Sequence, residues 1–334
     1  MKSQQVFETP VLFIIFNRPE CVQLVFNEIK KQQPKKLFVH ADGPRPGNFS
    51  DEQKCLESRK IIKEQLDWDC ELNVLFRTEN LGCGKGPASA ISWFFENVEE
   101  GIIIEEDCLP HPDFFGYCSE LLDRYRNDKR IMIIGATTYH DDYPCEHSYT
   151  FTNYGTMAAW ATWKRVWDKF DYTLSGFSRN ELKKELRKHF YSRFEYKNWL
   201  GLYDWIVKDK FLSYWDWQLH FIVFYNHGIA IRPKQNMISN IGTGPGATHT
   251  SYEAASAFQA KRPVYGCLPI SHPSVVKVNK KLDASYYKKM YQPNISTRLL
   301  QPVFNTIFLG RLKNNPVLVV LLKRYREIKN RDWF

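Results

Sequence analysis

The chain has 334 residues, of which 43% are apolar and 15% aromatic, enough to bury the core of one large domain or two smaller ones. Gly and Pro number only 17 each, and no Gly-X-Y period, heptad or longer repeat recurs. Collagen-like, coiled-coil, solenoid and disordered classes are therefore excluded. The apolar runs are short, whereas a membrane-spanning helix needs about 20 residues, so we expect neither a span nor a Sec-type signal peptide.

The cysteines indicate a reducing compartment. All eight are scattered along the chain without a CxxC pair, and their density is far below that of a disulfide-stabilised secreted domain. We therefore expect reduced thiols and a cytoplasmic protein.

The net charge of +9 is unevenly distributed. Residues 261–334 contain 15 Lys and Arg against three acids, a balance of +12, which leaves −3 for residues 1–260. We predict a near-neutral domain over 1–260 and a basic C-terminal extension over 261–334. The extension is either a solubilising face or a surface that meets phosphate groups of lipid, lipopolysaccharide or nucleic acid.

Short apolar runs alternate with segments of helical period through the first 135 residues. The predicted strands are 11–16, 36–41, 71–76, 101–105 and 131–135, and the predicted helices are 20–31, 51–66, 85–97 and 113–127. Ser50 is the expected N-cap of the second helix. This alternation predicts an α/β, Rossmann-like fold with a mostly parallel sheet and helices on both faces.

Regular structure is harder to predict beyond residue 140. Residues 141–152 have loop character, and residues 178–212 are charged with helical spacing. The further predicted elements are helices at 163–170 and 217–225, a strand at 229–232, a Gly-rich loop at 242–250, and one helix in the basic extension at 316–329.

Polar residues follow each of the first four predicted strands. Asn17-Arg18-Pro19 comes after the first, Asp42-Gly43-Pro44-Arg45 after the second, Arg77 to Gly82 after the third, and Glu105-Glu106-Asp107 after the fourth. Ligands of open parallel sheets bind at the carboxyl ends of the strands. The sequence therefore predicts a binding site built from these segments.

Two common nucleotide-binding motifs are missing. The first strand is not followed by G-x-G-x-x-G, so NAD and FAD are not expected. Gly82, Gly84 and Gly86 surround Lys85 in the manner of a phosphate loop. Pro87, however, stands where a Walker loop has its magnesium-binding Ser or Thr. An NTPase is excluded, and the segment is either a flexible loop or a phosphate contact.

The strongest local signal is the end of the fourth strand, where Gly101-Ile-Ile-Ile runs into Glu105-Glu106-Asp107. Three adjacent carboxylates repel one another unless a cation or hydrogen-bond donors offset their charge. Mg²⁺ or Mn²⁺, held by one or two carboxylates together with substrate phosphates, would do so. The alternative is three solvated acids at a strand end.

These motifs resemble those of the GT-A nucleotide-diphospho-sugar transferases, and most of all the N-acetylglucosaminyltransferase I type. Residues 102–115, Ile-Ile-Ile-Glu-Glu-Asp-Cys-Leu-Pro-His-Pro-Asp-Phe-Phe, are similar to that family's strand ending in Glu-Asp-Asp followed by a Pro-Asp-Phe-Phe helix start. The resemblance implies that Asp107 is the metal ligand and that Glu105 and Glu106 lie beside ribose and donor sugar. Glu106 stands where the family has Asp.

Upstream, the resemblance extends to the nucleotide. Arg18 lies where the family has an Arg after its first strand, and Asp42 where an Asp after the second strand contacts the base. Arg77-x-x-Asn80-Leu81-Gly82 is similar to a turn found in many GT-A enzymes. The implied nucleotide-binding residues are Arg18, Asp42 and Asn80, and Lys85 joins them as the predicted phosphate contact. Residues 1–110 would form the nucleotide-binding half and residues 111–260 the acceptor half.

Downstream, Tyr214-Trp215-Asp216-Trp217, Arg232-Pro233 and Gly246-Ala-Thr-His249 resemble the family's Trp-Asp-Asp-Trp, Arg-Pro and Gly-Val-Ser-His succession. Asp216 is then the general base for the acceptor hydroxyl, and residues 242–249 cover the donor. His249 is either a metal ligand or an exposed loop residue. Trp160 and Trp215 are the aromatic residues most suited to stack on a sugar, although core packing explains them equally well.

The predicted activity is that of an inverting, Mn²⁺- or Mg²⁺-dependent glycosyltransferase, a hexosyl- or N-acetylhexosaminyltransferase. It would move a sugar from a nucleotide diphosphate, with UDP expected, to a hydroxyl of a glycan or lipid-linked glycan in polysaccharide or lipopolysaccharide biosynthesis. The first alternative is a non-catalytic sugar-nucleotide or glycan-binding module with a membrane-binding tail. The second is a membrane-active or nucleic-acid-binding protein that uses the basic extension; we expect no nucleic-acid partner.

The basic extension suggests a location. An apolar block at residues 317–322 is followed by Lys323-Arg324-Tyr325-Arg326, a pattern that suits a helix lying on an anionic membrane. Each Lys or Arg near such a surface contributes about 1 kcal/mol. Residues 311–331 would then hold the protein peripherally on the inner face of the membrane. Alternatively, the apolar block docks on the catalytic domain.

Overall fold

Ten strands and nine helices are present in the computed structural model, which describes residues 7–138, 145–209, 214–242 and 266–291. The strands are β1 Val11–Ile15, β2 Lys36–Ala41, β3 Glu71–Phe76, β4 Glu100–Glu105, β5 Cys108–Pro110, β6 Ile131–Gly135, β7 Tyr149–Thr152, β8 Trp160–Trp163, β9 Ile229–Pro233 and β10 Ile238–Asn240. The helices are α1 Pro19–Gln32, α2 Phe49–Gln65, α3 Gly82–Phe95, α4 Asp113–Tyr125, α5 Lys164–Trp167, α6 Arg179–His189, α7 Arg193–Asp209, α8 Asp216–Tyr225 and α9 Lys280–Met290.

Eight strands form one sheet in the order β3-β2-β1-β4-β8-β6-β9-β7, and β5 pairs with β10 separately. β1 is parallel to both β2 and β4, β2 is parallel to β3, and β6 is parallel to β9. β8 lies antiparallel between β4 and β6, and β7 is antiparallel to β9. The fold is therefore α/β with a mostly parallel sheet flanked by helices, as the sequence predicts.

The apolar strands are buried because helices cover them. Every residue of β1 and of β6 is buried, α3 packs against β1, and α4 packs against β4, β6 and β8. A parallel strand covered in this way reads in the sequence as a continuous apolar run. For this reason the predicted ranges of β2, β3 and β6 agree with the observed ones, and that of β1 is one residue too long.

Three local predictions differ from the structure, and one helix was not predicted. The N-cap of α2 is Asn48, whose side chain accepts the Asp51 N–H at 3.2 Å, so Ser50 lies inside the helix. β7 occupies the end of the predicted loop 141–152, because its backbone pairs with β9. Trp163 ends β8, and the helix that follows is only four residues long. α9 lies in the segment assigned to the basic extension, for which the sequence predicts a helix only at 316–329.

Among the described residues, 7–241 and 266–283 form one compact unit, while Gly242 and 284–291 belong to another. Within the first unit, Asp283 accepts hydrogen bonds from the Thr152 hydroxyl and, at 3.0 Å, from the Asn153 N–H. The His272 ring lies 2.7 Å from Glu120 Oε1. Residues 266–283 thus pack against β7 and α4. The division of the chain into 1–260 and 261–334 stays a prediction.

None of the helices in the described part of the chain is long and apolar enough to cross a bilayer. The predicted helix at 316–329 lies outside the described residues, as does most of the Gly-rich loop, including His249. None of the eight cysteines, all of which lie in the described ranges, is in a disulfide.

Candidate functional site

The candidate site is at the carboxyl ends of β2, β1 and β4, three neighbours in the sheet. Ile14 pairs with His40 on one side and with Glu105 on the other. The residues that follow these strands are consequently brought to one edge of the sheet, the edge at which parallel sheets bind ligands.

Arg18, at the start of α1, faces the acids at the end of β4. Its Nη1 lies 3.0 Å from Asp107 Oδ2, and its Nε lies 3.8 Å from Glu106 Oε1. Glu106 also accepts a short hydrogen bond from the Phe16 backbone N–H. The segment after β1 is therefore joined to the segment after β4 by one ion-pair cluster, which connects residues about 90 positions apart.

The acids are held in an environment that disfavours their negative charge. Burial raises the pKa of Glu106 to about 8, and the nearby Arg18 guanidinium opposes this shift. Burial also raises the pKa of Glu105, and the charges of Asp107 and Asp216 raise it further. Three carboxyl groups share one guanidinium, and a second cation bound at this edge of the sheet would favour their ionised forms.

Asp216 is the first residue of α8 and lies within electrostatic range of Glu105. Its backbone carbonyl is 2.9 Å from His220 Nδ1, and the other ring nitrogen of His220 is 3.1 Å from the Gly155 carbonyl. Burial lowers the pKa of His220, while the Asp216 carboxylate opposes that shift. The start of α8 is thus tied to the segment that follows β7.

Asp42 binds the loop between β3 and α3. Its carboxylate accepts the backbone N–H groups of Leu81 at 2.9 Å and Gly82 at 3.0 Å, and that of Gly43 at 3.0 Å. The Asn80 side-chain amide donates to it at 3.1 Å. Burial raises the pKa of Asp42, and these backbone donors oppose the shift. Asp42 therefore supplies the negative charge at the N-terminus of α3 that a helix dipole favours.

The same loop approaches β2 very closely. A Cβ atom at Gly43 would lie 2.5 Å from the backbone carbon of Glu79, and one at Gly86 would lie 3.2 Å from Asp42 Oδ2. Residue 43 therefore has no room for a side chain and must be glycine. Lys85 is on the first turns of α3 and is exposed. Within the described part of the chain it makes no hydrogen bond or ion pair with the other predicted site residues.

Asn17 and Arg45 lie in segments that the sequence predicts to line the site, whereas Asp51 was not assigned from the sequence. Arg45 donates to both oxygens of Asp51, which also accepts the Asn17 side-chain amide at 2.7 Å. The Arg45 hydrogen bonds lower the pKa of Asp51 to about 2, although burial opposes them. In sequence, Asp51 is an ordinary acid in the first turn of a helix. Only its distance to Asn17, 34 residues away, marks it as part of this edge.

The residues at the end of β4 fit a hard divalent cation. Carboxylate oxygens are the ligands that Mg²⁺ and Mn²⁺ prefer, and Mg²⁺ is commonly bound by one or two carboxylates together with substrate phosphates. In the described residues no group of three His, Cys, Asp or Glu side chains is arranged to hold a metal. A cation at Asp107 would therefore depend on further ligands such as donor phosphates.

The two tryptophans considered as sugar platforms are buried. Trp160 and Trp215 stack on each other with ring centroids 5.7 Å apart, and both are at most 5% exposed. Trp167 contacts Trp215 from another side. These rings pack in the core next to the start of α8, where they support Asp216.

Neither a family model nor a curated protein matches the chain. Similar solved structures include a mannosyltransferase from Pyrobaculum calidifontis in complex with GDP-Man and Mn²⁺, at 13% identity and a TM-score of 0.44 over 98% of this chain and 85% of that one. An apo UDP-glucose pyrophosphorylase is similar at 10% identity and a TM-score of 0.39, over 75% of this chain and 98% of that one.

A 4-diphosphocytidyl-2C-methyl-D-erythritol synthase from Anaerococcus prevotii is similar at 9% identity and a TM-score of 0.29, over 52% of this chain and 80% of that one. With identities of at most 13% and TM-scores of at most 0.44, these similarities carry no argument about fold or activity.

Proposed function

We propose that this protein is an inverting, divalent-metal-dependent glycosyltransferase that uses a nucleotide-diphosphate sugar and a hydroxyl of a glycan or lipid-linked glycan. The observation that supports this most directly is the contact of Arg18 Nη1 with Asp107 Oδ2, 3.0 Å apart at the end of β4, while the charge of Asp216 raises the pKa of the neighbouring Glu105. A base and a site for a leaving diphosphate are the two elements that a single displacement requires.

In the proposed reaction, Asp216 accepts the proton of the acceptor hydroxyl as that oxygen bonds to the anomeric carbon of the sugar. The bond from that carbon to the diphosphate breaks on the opposite side, which inverts the configuration. Arg18 contributes positive charge beside the departing diphosphate. A cation bound at Asp107, when present, would neutralise the remaining charge of the leaving group.

The occupied N-terminus of α3 supports this placement of the diphosphate. In many α/β proteins a pyrophosphate binds at a helix N-terminus. Here the Leu81 and Gly82 N–H groups already donate to Asp42, so α3 offers fewer donors to a ligand. We therefore expect the diphosphate near Arg18 and Asp107, where charge compensation comes from a guanidinium and a cation.

The first test is a thermal-shift panel of UDP, GDP, dTDP and CMP sugars with and without Mn²⁺. It would compare the parent with Asp107→Ala and with Asp123→Ala, a matched control whose carboxylate is exposed on α4. A donor at 100 times its Kd should stabilise the parent by about 2.7 kcal/mol. We expect a Mn²⁺-dependent shift that Asp107→Ala loses and Asp123→Ala keeps. A folded parent that shifts with no donor would contradict the proposal.

A further inference from the structure

Arg45 is an exposed arginine that is held rigidly beside the candidate site. Its Nε and Nη2 donate to the two carboxylate oxygens of Asp51. The Arg45 side chain is 57% exposed, whereas that of Asp51 is 3% exposed. A buried carboxylate thus fixes the orientation of a guanidinium whose outer side faces solvent.

The fixed guanidinium lies next to an aromatic ring. The Arg45 guanidinium carbon is 5.8 Å from the centroid of the Phe16 ring, within the range of a cation–π contact. Phe16 is partly exposed, and Asn17 and Arg18 follow it directly in the chain. The Asn17 side-chain amide donates to Asp51, and the Arg18 guanidinium donates to Asp107. Phe16 and Arg45 therefore adjoin the residues proposed to bind the diphosphate.

An arginine–aspartate pair by itself is not evidence of a site. Arg130 and Asp128 form the same two-point pair, with bonds of 2.9 and 2.7 Å, at a turn before β6. The Arg45 pair differs because its carboxylate is buried and shared with Asn17 on another segment. The Nη1 group of Arg45, by contrast, has no hydrogen-bond partner in the described part of the chain. Its two N–H groups are available to a ligand.

We propose that Arg45 and Phe16 recognise the nucleobase of the donor, with Arg45 donating to a base carbonyl. This inference rests on the proposed function. A guanidinium can only donate hydrogen bonds, so at these positions it favours bases that present a carbonyl, O6 of guanine or O4 of uracil. Adenine and cytosine present amino groups at the corresponding positions. The surface of Phe16 is suited to stacking, which is tolerant of base identity.

The test is to measure the Kd of UDP, GDP, CDP and ADP in the presence of Mn²⁺ for four proteins: the parent, Arg45→Ala, Arg45→Lys and the matched control Arg130→Ala. We expect Arg45→Ala to weaken UDP and GDP about tenfold and to change CDP and ADP less than about twofold. Arg45→Lys should not restore the loss, since an ammonium lacks the planar fork. Arg130→Ala should bind all four like the parent.

The remaining outcomes separate this inference from the proposed function. An equal loss for all four nucleotides, and for inorganic pyrophosphate, would show that Arg45 binds phosphate and would overturn the inference. Unchanged affinities in Arg45→Ala would also overturn it while leaving the proposed function intact. If the folded parent binds no nucleotide, the inference and the proposed function are both wrong. Because Arg45→Ala removes the cation paired with the buried Asp51 carboxylate, circular dichroism and a urea midpoint would check that the variant is folded under the binding conditions.

Discussion

Arg18 Nη1 lies 3.0 Å from Asp107 Oδ2, so a cation from the start of α1 meets an acid from the end of β4. Glu106 is beside them, with an oxygen 3.8 Å from Arg18 Nε. All three side chains are largely shielded from water, with exposures of 22% or less. The arginine therefore stabilises both the fold at this edge and the charge that a ligand would meet.

Replacing Arg18 by Gln should destabilise the protein. The change leaves two acids close together without their cation, and breaking a partly buried pair of this kind costs about 2 kcal/mol. Urea unfolding at neutral pH in EDTA would measure it. Arg130→Gln, at an exposed pair, should cost less than about 1 kcal/mol. If a cation binds at Asp107, Mn²⁺ should raise the free energy of unfolding of Arg18→Gln more than that of the parent. An equal increase in the two proteins would argue against a cation site at Asp107.

Substitution of Asp216 by Asn should abolish turnover without abolishing donor binding. The amide cannot accept the acceptor proton, and loss of a general base lowers kcat by about 10²–10⁴-fold. Sugar transfer and nucleotide release would be measured with the donor found by thermal shift, and Asp123→Asn would serve as control. Transfer at the parental rate would remove Asp216 from the mechanism. A parent that binds donor but transfers nothing with any acceptor tried would favour the binding-module alternative.

Two glycine substitutions should have opposite effects on stability. In Gly43→Ala the new Cβ would meet the Glu79 backbone at 2.5 Å, so the loop that binds Asp42 must move, and we expect a loss of about 2–3 kcal/mol. In Gly201→Ala, on α7, the Cβ has nothing within 4 Å. That variant should gain up to about 1 kcal/mol from helix propensity. The denaturant midpoints of the two variants would test both expected changes in stability. If Gly43→Ala were as stable as the parent, the Glu79 backbone would not be held rigidly against residue 43.

The effect of Asp51→Asn should depend on pH. The pKa of Asp51 falls from 3.8 to about 2 on folding, chiefly through its hydrogen bonds with Arg45. A lowered pKa adds stability above the unfolded value, up to about 2 kcal/mol here, and that stability is lost as pH falls from about 4 towards 2. Unfolding free energies at pH 7, 4 and 3 should show the variant's deficit shrinking. Glu71→Gln, at an exposed pair on β3, should change little at each pH. A deficit for Asp51→Asn that is constant with pH would exclude the ionised pair as its cause.

The basic tail can be tested in the full chain by flotation with vesicles of neutral and anionic lipid. If residues 311–331 bind an anionic membrane, Lys323→Glu, Arg324→Glu and Arg326→Glu together should reduce binding by about 100-fold or more, from roughly 1 kcal/mol per charge. The same number of reversals at the exposed Lys54, Lys60 and Lys63 of α2 is the control. Equal binding of the two triple variants would favour docking of the tail on the catalytic domain.

Most of the first half of the fold could be predicted because its signals are local. A continuous apolar run such as 131–135 predicts a buried strand wherever its neighbours lie. β7 and β8 were missed for the opposite reason. They are four-residue, aromatic-rich strands, and they are ordered by antiparallel pairing with β9 and with β4 and β6, whose sequence positions lie far away. Short runs of this kind do not distinguish strand from helix by period alone.

The sequence by itself determined which polar residues lie at the carboxyl ends of the strands: Arg18, Asp42, and the acids from Glu105 to Asp107. It could do so because strand ends and polar breaks are properties of adjacent residues. Tertiary structure alone decided which of them meet. It joined Arg18 to Asp107, turned Asp42 towards the Leu81 and Gly82 N–H groups, and joined Asn17 to the buried Asp51 that holds Arg45. Such contacts depend on strand order and on side-chain direction, since a hydrogen bond needs its two atoms within about 3 Å, and no local pattern of the chain encodes that distance.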